Sequence, residues 1–188
     1  IKPQVISFSD SGGTVYDEAG VTEEKLNFVK DLKNNRHGRI KEYAEKYGVP
    51  YLEGKPPWHL KCDLAFPSAT QNELKLEDAK TLVENGCILV AEGSNMGSTP
   101  DAIHYFKDTK TLFGISKAAN AGGVAVSGLE MAQNRMGYSW TREDLDERLK
   151  TIMKKIHQQC LEYGQSTGYV DYVKGANIAG FKKVADTI

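Results

Sequence analysis

Short apolar runs alternate along this chain with longer stretches in which apolar residues recur at helical spacing. Lys2 to Ser9 reads as a strand closed by the turn Asp10-Ser11-Gly12-Gly13. From about Thr22, Leu26, Phe28, Val29 and Leu32 recur on one helical face as far as Asn34-Asn35. A second helix is predicted from about Arg39 to Tyr47, stopped by Gly48 and Pro50, with Tyr51-Leu52 a short strand after it. Cys62 to Phe66 is a further strand, ended by Pro67. Helix then alternates with strand: Leu76 to Asn85 and Thr99 to Phe106 are helical, and Cys87 to Ala91 and Thr111 to Ile115 are strands. The run Cys87-Ile88-Leu89-Val90-Ala91 has no polar face, as expected of a parallel strand covered on both sides. The remainder is predicted helical, over about Ala119 to Met136, Glu143 to Tyr163 and Gly175 to Asp186. Such alternation predicts an α/β layer with a mainly parallel sheet flanked by helices.

Composition narrows the partners. The chain has 188 residues with 24 Lys+Arg against 25 Asp+Glu, a formal charge of −1. With a pI of about 6.5 it lacks the basic stripe that tracks phosphates, so nucleic acid is not an expected partner. No run approaches the ~18 apolar residues of a membrane span, and a cytoplasmic location is expected. Cys62, Cys87 and Cys160 form an odd set without C-x-x-C spacing, which fits reduced thiols better than a disulfide framework or a zinc site. The four histidines, His37, His59, His104 and His157, are likewise too scattered to suggest a metal site. The chain opens on Ile1 and moves at once into a strand, so it reads as a piece of something longer.

Ligands of open parallel sheets bind beyond the carboxyl ends of the strands, and there the residues are small and polar. Four such segments follow strands: Ser9-Asp10-Ser11-Gly12-Gly13, Pro67 to Asn72 with Ala69, Thr70 and Gln71 at its centre, Glu92-Gly93-Ser94-Asn95-Met96, and Ser116 to Gly123. Each alone fits a helix entry as well as a binding loop, since Ser, Thr and Asn are favoured caps; four on one edge favour binding. Asp10 stands where an acidic residue accepts hydrogen bonds from the adenosine ribose hydroxyls in dinucleotide folds. Lys33, Arg36 and Arg39 follow, offering a clamp for a 2′-phosphate together with the hydroxyls of Ser9 and Ser11. Seen alone, Lys33 and Arg36 fit solvated cations at a helix C-terminus better than a clamp. In Asn120-Ala-Gly-Gly-Val-Ala-Val-Ser127, Asn120 lies near a helix start, and Val124 and Ser127 share one helical face. That face offers an apolar contact and a hydroxyl to a small ligand.

These motifs together resemble the cofactor domain of hexameric, NADP-type glutamate dehydrogenases. The resemblance rests on Ser9-Asp-Ser-Gly-Gly-Thr-Val-Tyr-Asp, Pro67-Ser-Ala-Thr-Gln-Asn-Glu-Leu, Ala91-Glu-Gly-Ser-Asn-Met, Lys117-Ala-Ala-Asn-Ala-Gly-Gly-Val-Ala-Val-Ser-Gly-Leu-Glu-Met and Gly175-Ala-Asn-Ile-Ala-Gly-Phe, in order from Val5 to Asp186. It implies a Rossmann-like doubly wound fold, and reversible oxidative deamination of L-glutamate to 2-oxoglutarate and ammonia by hydride transfer to NADP. It also implies that Asp10 and Ser11 lie at the adenosine ribose and that Lys33 and Arg36 hold the 2′-phosphate. Ala69, Thr70 and Gln71 would line the cofactor cleft, Asn95 would lie near the nicotinamide ribose, and Asn120 would hold the carboxamide. Val124 and Ser127 would contact the substrate side chain, the Ser127 hydroxyl meeting its distal carboxylate. Asp10 alone suits NAD, and the basic pair tips the expectation to NADP. Gly97 stands where the family's loop has a proline, which bears on the loop's rigidity.

The resemblance further implies a substrate domain carrying the catalytic lysines and aspartate, so no catalytic residue is assigned in this chain. The first strand-turn-helix with its G-x-G-x-x-G is also absent from the sequence, and without that central strand a continuous sheet is not expected from residues 1–188. The whole chain is expected to be a partial dinucleotide-binding domain, with its nucleotide-binding part over about 1–116 and a helical part over about 117–188. This piece alone would be inactive, and the full-length protein would be a homo-hexamer. The other readings are an amino-acid dehydrogenase acting on apolar substrates and a non-catalytic NADP(H)-binding module.

Overall fold

The apolar run that opens the chain forms β1 (Ser7–Asp10), and the turn after it returns the backbone directly into β2 (Gly13–Tyr16). The two pair antiparallel, with Asp10 opposite Gly13. This computed structural model describes residues 3–187, so Lys2, in the expected first strand, lies outside the described residues. α1 (Glu23–Asn34) begins at Thr22, whose hydroxyl accepts from Lys25 N at 3.3 Å, with Glu23 and Glu24 placed favourably for the helix dipole. α2 (Lys41–Tyr47) ends at Gly48, and β3 (Tyr51–Glu53) pairs antiparallel with β2. Val15, Ile40, Tyr43 and Ala44 form the core of this part, ringed by Phe8, Phe28, Val29, Tyr47, Val49 and Tyr51.

The chain divides into two compact units, one ending at Leu60 and the other beginning at Lys61. This division follows packing, whereas the boundary expected near residue 116 follows role. The first unit's sheet departs from the parallel pattern, because a two-residue turn can only bring the chain back antiparallel. β2 is not evident in the sequence because it is four residues long and begins on the second glycine of the pair Gly12-Gly13. Gly13 is needed there: its φ is 150°, and a Cβ would run into the carbonyl of Leu52 on β3.

The second unit follows the sequence pattern closely. β4 (Leu64–Ala65), α3 (Leu76–Glu84), β5 (Leu89–Ala91), α4 (Pro100–Asp108) and β6 (Leu112–Gly114) alternate, and the strands form a parallel sheet in the order β4-β5-β6. Val90 and Phe113 are opposite each other in the register and fully buried, and Phe113 stacks on Phe106 of α4 at 5.5 Å between ring centroids. Leu74, Ala79, Leu82 and Ala102 complete this core. Among the described residues, the edge strands β1 and β3 of the first sheet and β4 and β6 of the second each pair on one side only.

The helical remainder is more broken than expected. α5 (Ser116–Ala119) is a single turn ending at Asn120, and α6 (Gly122–Met136) follows. Asn120 therefore closes one helix two residues before the next. α7 (Arg142–Gly164) is capped reciprocally by Thr141 and Asp144. The hairpin of β7 (Gln165–Ser166) and β8 (Tyr169–Val170) then leads to α8 (Tyr172–Ala185). α8 starts three residues before the expected Gly175, because the Asp171 carboxylate accepts from Lys174 N at 2.9 Å. Gly175 itself allows α8 to cross α7 closely: a Cβ there would overlap the backbone carbonyl of Cys160. Among the described residues, no helix is long and apolar enough to cross a membrane.

Candidate functional site

In the first unit, the end of β1 gathers charge around Asp10. Its largely buried carboxylate accepts from Lys33 Nζ at 2.6 Å, from Ile40 N at 2.9 Å and from Gly12 N at 2.9 Å. Burial works to raise the pKa of this carboxyl, but the Lys33 bond, the two backbone donors and the Lys33 charge together hold it below the usual range. A carboxylate has about four acceptor positions, so one remains for a ligand hydroxyl. Lys33 Nζ also donates to Gly38 O at 3.0 Å, tying the α1 end to the segment before α2. Ser9 and Ser11 are exposed, and Ser11 Oγ accepts from Arg39 Nη1 at 2.6 Å.

Arg36 is drawn elsewhere. It pairs with Asp31 at 3.0 Å and Glu42 at 3.1 Å and lies over the Phe28 ring at 5.0 Å. The structure thus places Asp10, Ser11, Lys33 and Arg39 together, with Arg36 committed to its own acidic partners. No sequence signal separates Arg36 from Arg39; the loop between α1 and α2 decides which one faces Ser11.

A second acidic group steadies this unit. Asp17, only 2% exposed, accepts from Lys25 Nζ at 2.6 Å and from the Tyr43 hydroxyl at 2.5 Å. Burial again opposes ionisation, and the bonds from Lys25 and Tyr43 again lower the carboxyl pKa. The stability contributed by Asp10 and Asp17 is therefore complete above the ordinary value of 3.8 and is lost as pH falls through their lower folded-state values. Urea titrations of the full-length protein from about pH 7 to about pH 3 should show an acid loss of stability that Asp17→Asn makes shallower. An unchanged acid slope in that variant would count against this role for Asp17.

In the second unit, three strand ends converge. The loop after β4 and the loop after β5 are laced by their backbones: Gly93 N donates to Pro67 O at 2.9 Å, Asn72 N to Met96 O at 2.8 Å and Leu74 N to Gly97 O at 3.0 Å. Ser94 Oγ lies 3.4 Å from Thr70 O, and Ala69 N donates to Glu73 Oε1 at 2.7 Å. Ala69, Thr70 and Gln71 are consequently exposed on a braced loop. Asn72 and Met96 both adopt left-handed φ, 55° and 53°, and hold that conformation through their mutual bond.

Glu92, at the end of β5, joins this loop pair to the third. Its side chain is 1% exposed, and it accepts from Ser98 N at 2.7 Å and from Ser116 N, at the start of α5, at 2.8 Å. Ser116 Oγ in turn accepts from Met96 N at 3.3 Å. Across this junction Asn120 Nδ2 donates to Asn95 Oδ1 at 2.7 Å, so the two expected nicotinamide-side asparagines touch. Gly97 does not loosen the loop, because these bonds hold it; a Cβ there would crowd Ser94 Oγ at 2.7 Å and Pro67 at 3.2 Å. Glu92 was not among the expected site residues. A lone glutamate between an apolar strand and a glycine is the signal that it turns inward.

Val124 and Ser127 lie on α6, Val124 80% exposed and Ser127 also open to solvent. The chemistry on offer is thus a carboxylate with cations in one unit, and in the other a pair of side-chain amides and, on α6, an exposed valine and hydroxyl. Taken by itself, the first unit's set fits ribose hydroxyls and a phosphate, and the second unit's amides fit a carboxamide.

Residues 2–188 match the family model described as Glutamate/Leucine/Phenylalanine/Valine dehydrogenase. A glutamate dehydrogenase of Bacteroides thetaiotaomicron is 58% identical over 183 residues, covering 97% of this chain and 41% of that protein. An NAD(P)-specific glutamate dehydrogenase of Xylanibacter ruminicola is 55% identical over 181 residues, covering 96% of this chain and 41% of its own length. The crystal structure of Plasmodium falciparum glutamate dehydrogenase superposes with a TM-score of 0.92 at 51% identity, over 97% of this chain and 40% of that one. The chain therefore spans about two fifths of the length of the curated relatives it matches.

Proposed function

This chain belongs to the Glutamate/Leucine/Phenylalanine/Valine dehydrogenase family, and we propose that it is the cofactor-binding portion of an NADP-dependent glutamate dehydrogenase. The whole protein would interconvert L-glutamate with 2-oxoglutarate and ammonia, acting in the cytoplasm as a homo-hexamer. The observation that carries this reading is the contact between Asn95 and Asn120 at the carboxyl ends of adjacent parallel strands, held by the buried Glu92. Two side-chain amides fixed against each other keep a donor and an acceptor available in one place, as a carboxamide and a ribose require.

Asp10 would accept from the adenosine ribose, and Lys33 with Arg39 would supply the cationic donors for a 2′-phosphate. Ser9 and Ser11 add hydroxyls beside them, and Arg36 contributes charge from its position against Asp31 and Glu42. Ala69, Thr70 and Gln71 face the cofactor as an exposed lining. Val124 and Ser127 offer the substrate side chain a methyl surface and a hydroxyl. The nucleotide, when bound, supplies the hydride-accepting ring; the chain's task is to bind and orient it.

Steady-state assays of the full-length protein with glutamate and either NADP or NAD test this. Glutamate-dependent reduction of NADP is expected. Faster turnover of leucine or valine would indicate the apolar-substrate branch, and binding without reduction would indicate a sensor. Ser127→Ala should raise the KM for glutamate about tenfold with a smaller change in kcat, from the loss of one charged hydrogen bond worth ~1.5 kcal/mol. An unchanged KM would remove Ser127 from the substrate side.

A further inference from the structure

At the amino-terminal end of the second unit's parallel sheet lies a pair of thiols that the nucleotide chemistry does not use. Leu64 pairs with Leu89 in the β4/β5 register, Ile88 N donates to Asp63 O at 2.9 Å just before the two strands begin, and Cys62 and Cys87 stand one residue further back on the two segments. Cys87 Sγ lies 3.6 Å from the carbonyl of Asp63, the residue next to Cys62, and 3.4 Å from Leu89 O. Cys87 is buried at 5% exposure, whereas Cys62 is half-buried and open to a small reagent. Paired strands run ~4.8 Å apart, within the ~4.4–6.8 Å that disulfide-bonded Cα atoms span.

We propose that Cys62 and Cys87 are a dithiol modification site, closed into a reversible intramolecular disulfide by a small disulfide of the glutathione class. The order of events follows from exposure. The Cys62 thiolate attacks one sulfur of the oxidant, breaking its S–S bond and releasing one small thiolate. The Cys87 thiolate then attacks the Cys62 sulfur and expels the second small thiolate. Two protein thiols are oxidised, one small disulfide is reduced to two small thiols, and the two protons pass to the released thiolates.

The local chemistry assists the first step. The bond from Cys87 lowers the Cys62 pKa against the opposing effects of burial and the Asp63 charge. Cys87 is pushed well up, first by its bond to Cys62, then by burial and the Cys62 charge. The disulfide closes the segment 62–87, which carries the braced loop of Ala69, Thr70 and Gln71. Cys160, buried on α7 with its thiol pushed up by burial, is the internal control.

The test is differential alkylation and peptide mapping of the full-length protein equilibrated with glutathione disulfide and glutathione at graded ratios. Cys62 and Cys87 are expected to become protected together in one cross-linked peptide, ~2 Da lighter than its two reduced parts, and to be released by dithiothreitol. Cys160 should remain free. Cys87→Ser should trap a stable glutathione adduct on Cys62, and Cys62→Ser should leave Cys87 unmodified in the folded protein. A persistent adduct on Cys62 in the unaltered protein, both thiols free at oxidising ratios, or a cross-link to another chain would each overturn the proposal. The unaltered protein is itself a sufficient test should either variant fail to fold.

Discussion

Replacing Glu92 with Ala in the full-length protein is expected to destabilise it by ~2–6 kcal/mol and to weaken nucleotide binding well beyond what that loss alone explains. The magnitude follows from the two backbone donors that the substitution strands. Ser98 N and Ser116 N both give their hydrogen bonds to this carboxylate, at 2.7 and 2.8 Å, and Glu92 itself is 1% exposed. Each buried donor left without a partner costs ~1–3 kcal/mol. The binding effect has a separate cause. Ser116 begins the turn that ends at Asn120, while Ser98 closes the loop carrying Asn95, so Glu92 sets the register of the two asparagines.

Glu92→Gln separates charge from geometry. Its oxygen can keep the bond to Ser98 N, but its NH2 then faces the Ser116 donor, so an intermediate loss is expected. Denaturant unfolding gives the stability change, and titration of NADPH fluorescence gives the binding change. A Glu92→Ala protein within ~1 kcal/mol of the original, with unaltered binding, would show that Glu92 does not organise this junction.

Lys33→Ala combined with Arg39→Ala should raise the Kd for NADP by about 100–10,000-fold and that for NAD far less. Two charge-assisted bonds to a 2′-phosphate would be lost, each worth ~1.5–3 kcal/mol, and ~1.4 kcal/mol is a factor of ten. Some loss with NAD is also expected, because Lys33 holds the Asp10 carboxylate in place at 2.6 Å. Arg36→Ala should discriminate less, since its guanidinium is already occupied by Asp31 and Glu42. Equal weakening of NADP and NAD by the double variant would remove the phosphate clamp from the proposal. A larger selective effect from Arg36→Ala than from Arg39→Ala would return the role to the cation that the resemblance implied.

The expected elements that survive into the structure are those with a strong local period. α1, α3 and α4 lie where apolar spacing and caps place them, and the runs at Cys87–Ala91 and Thr111–Ile115 contain β5 and β6. The elements that escape notice are short and glycine-rich. β2 begins on Gly13 within the pair Gly12-Gly13, and β7 and β8 are two residues each, joined by Thr167-Gly168 with Gly168 at φ 72°. Four or fewer residues are too few to show a period against the turn residues beside them. The helix expected from Ala119 breaks after the turn Ser116–Ala119, where Asn120 bonds to Asn95 while Ser116 is held by Glu92, and Gly122 and Gly123 then open α6.

The amino-acid sequence by itself determined the strongly periodic helices and the three strands of the parallel sheet, and that small polar residues follow those strands. Those are local properties, set by side-chain spacing, caps and turn residues within a few positions. Only the tertiary structure decided which of these residues meet. Asn95 and Asn120 are 25 positions apart, Glu92 and Ser116 are 24 apart, and Ser11 chooses Arg39 across 28. A hydrogen bond over such a separation leaves no periodic trace in the chain, because its geometry is fixed by how strands and helices pack rather than by the residues next to either partner.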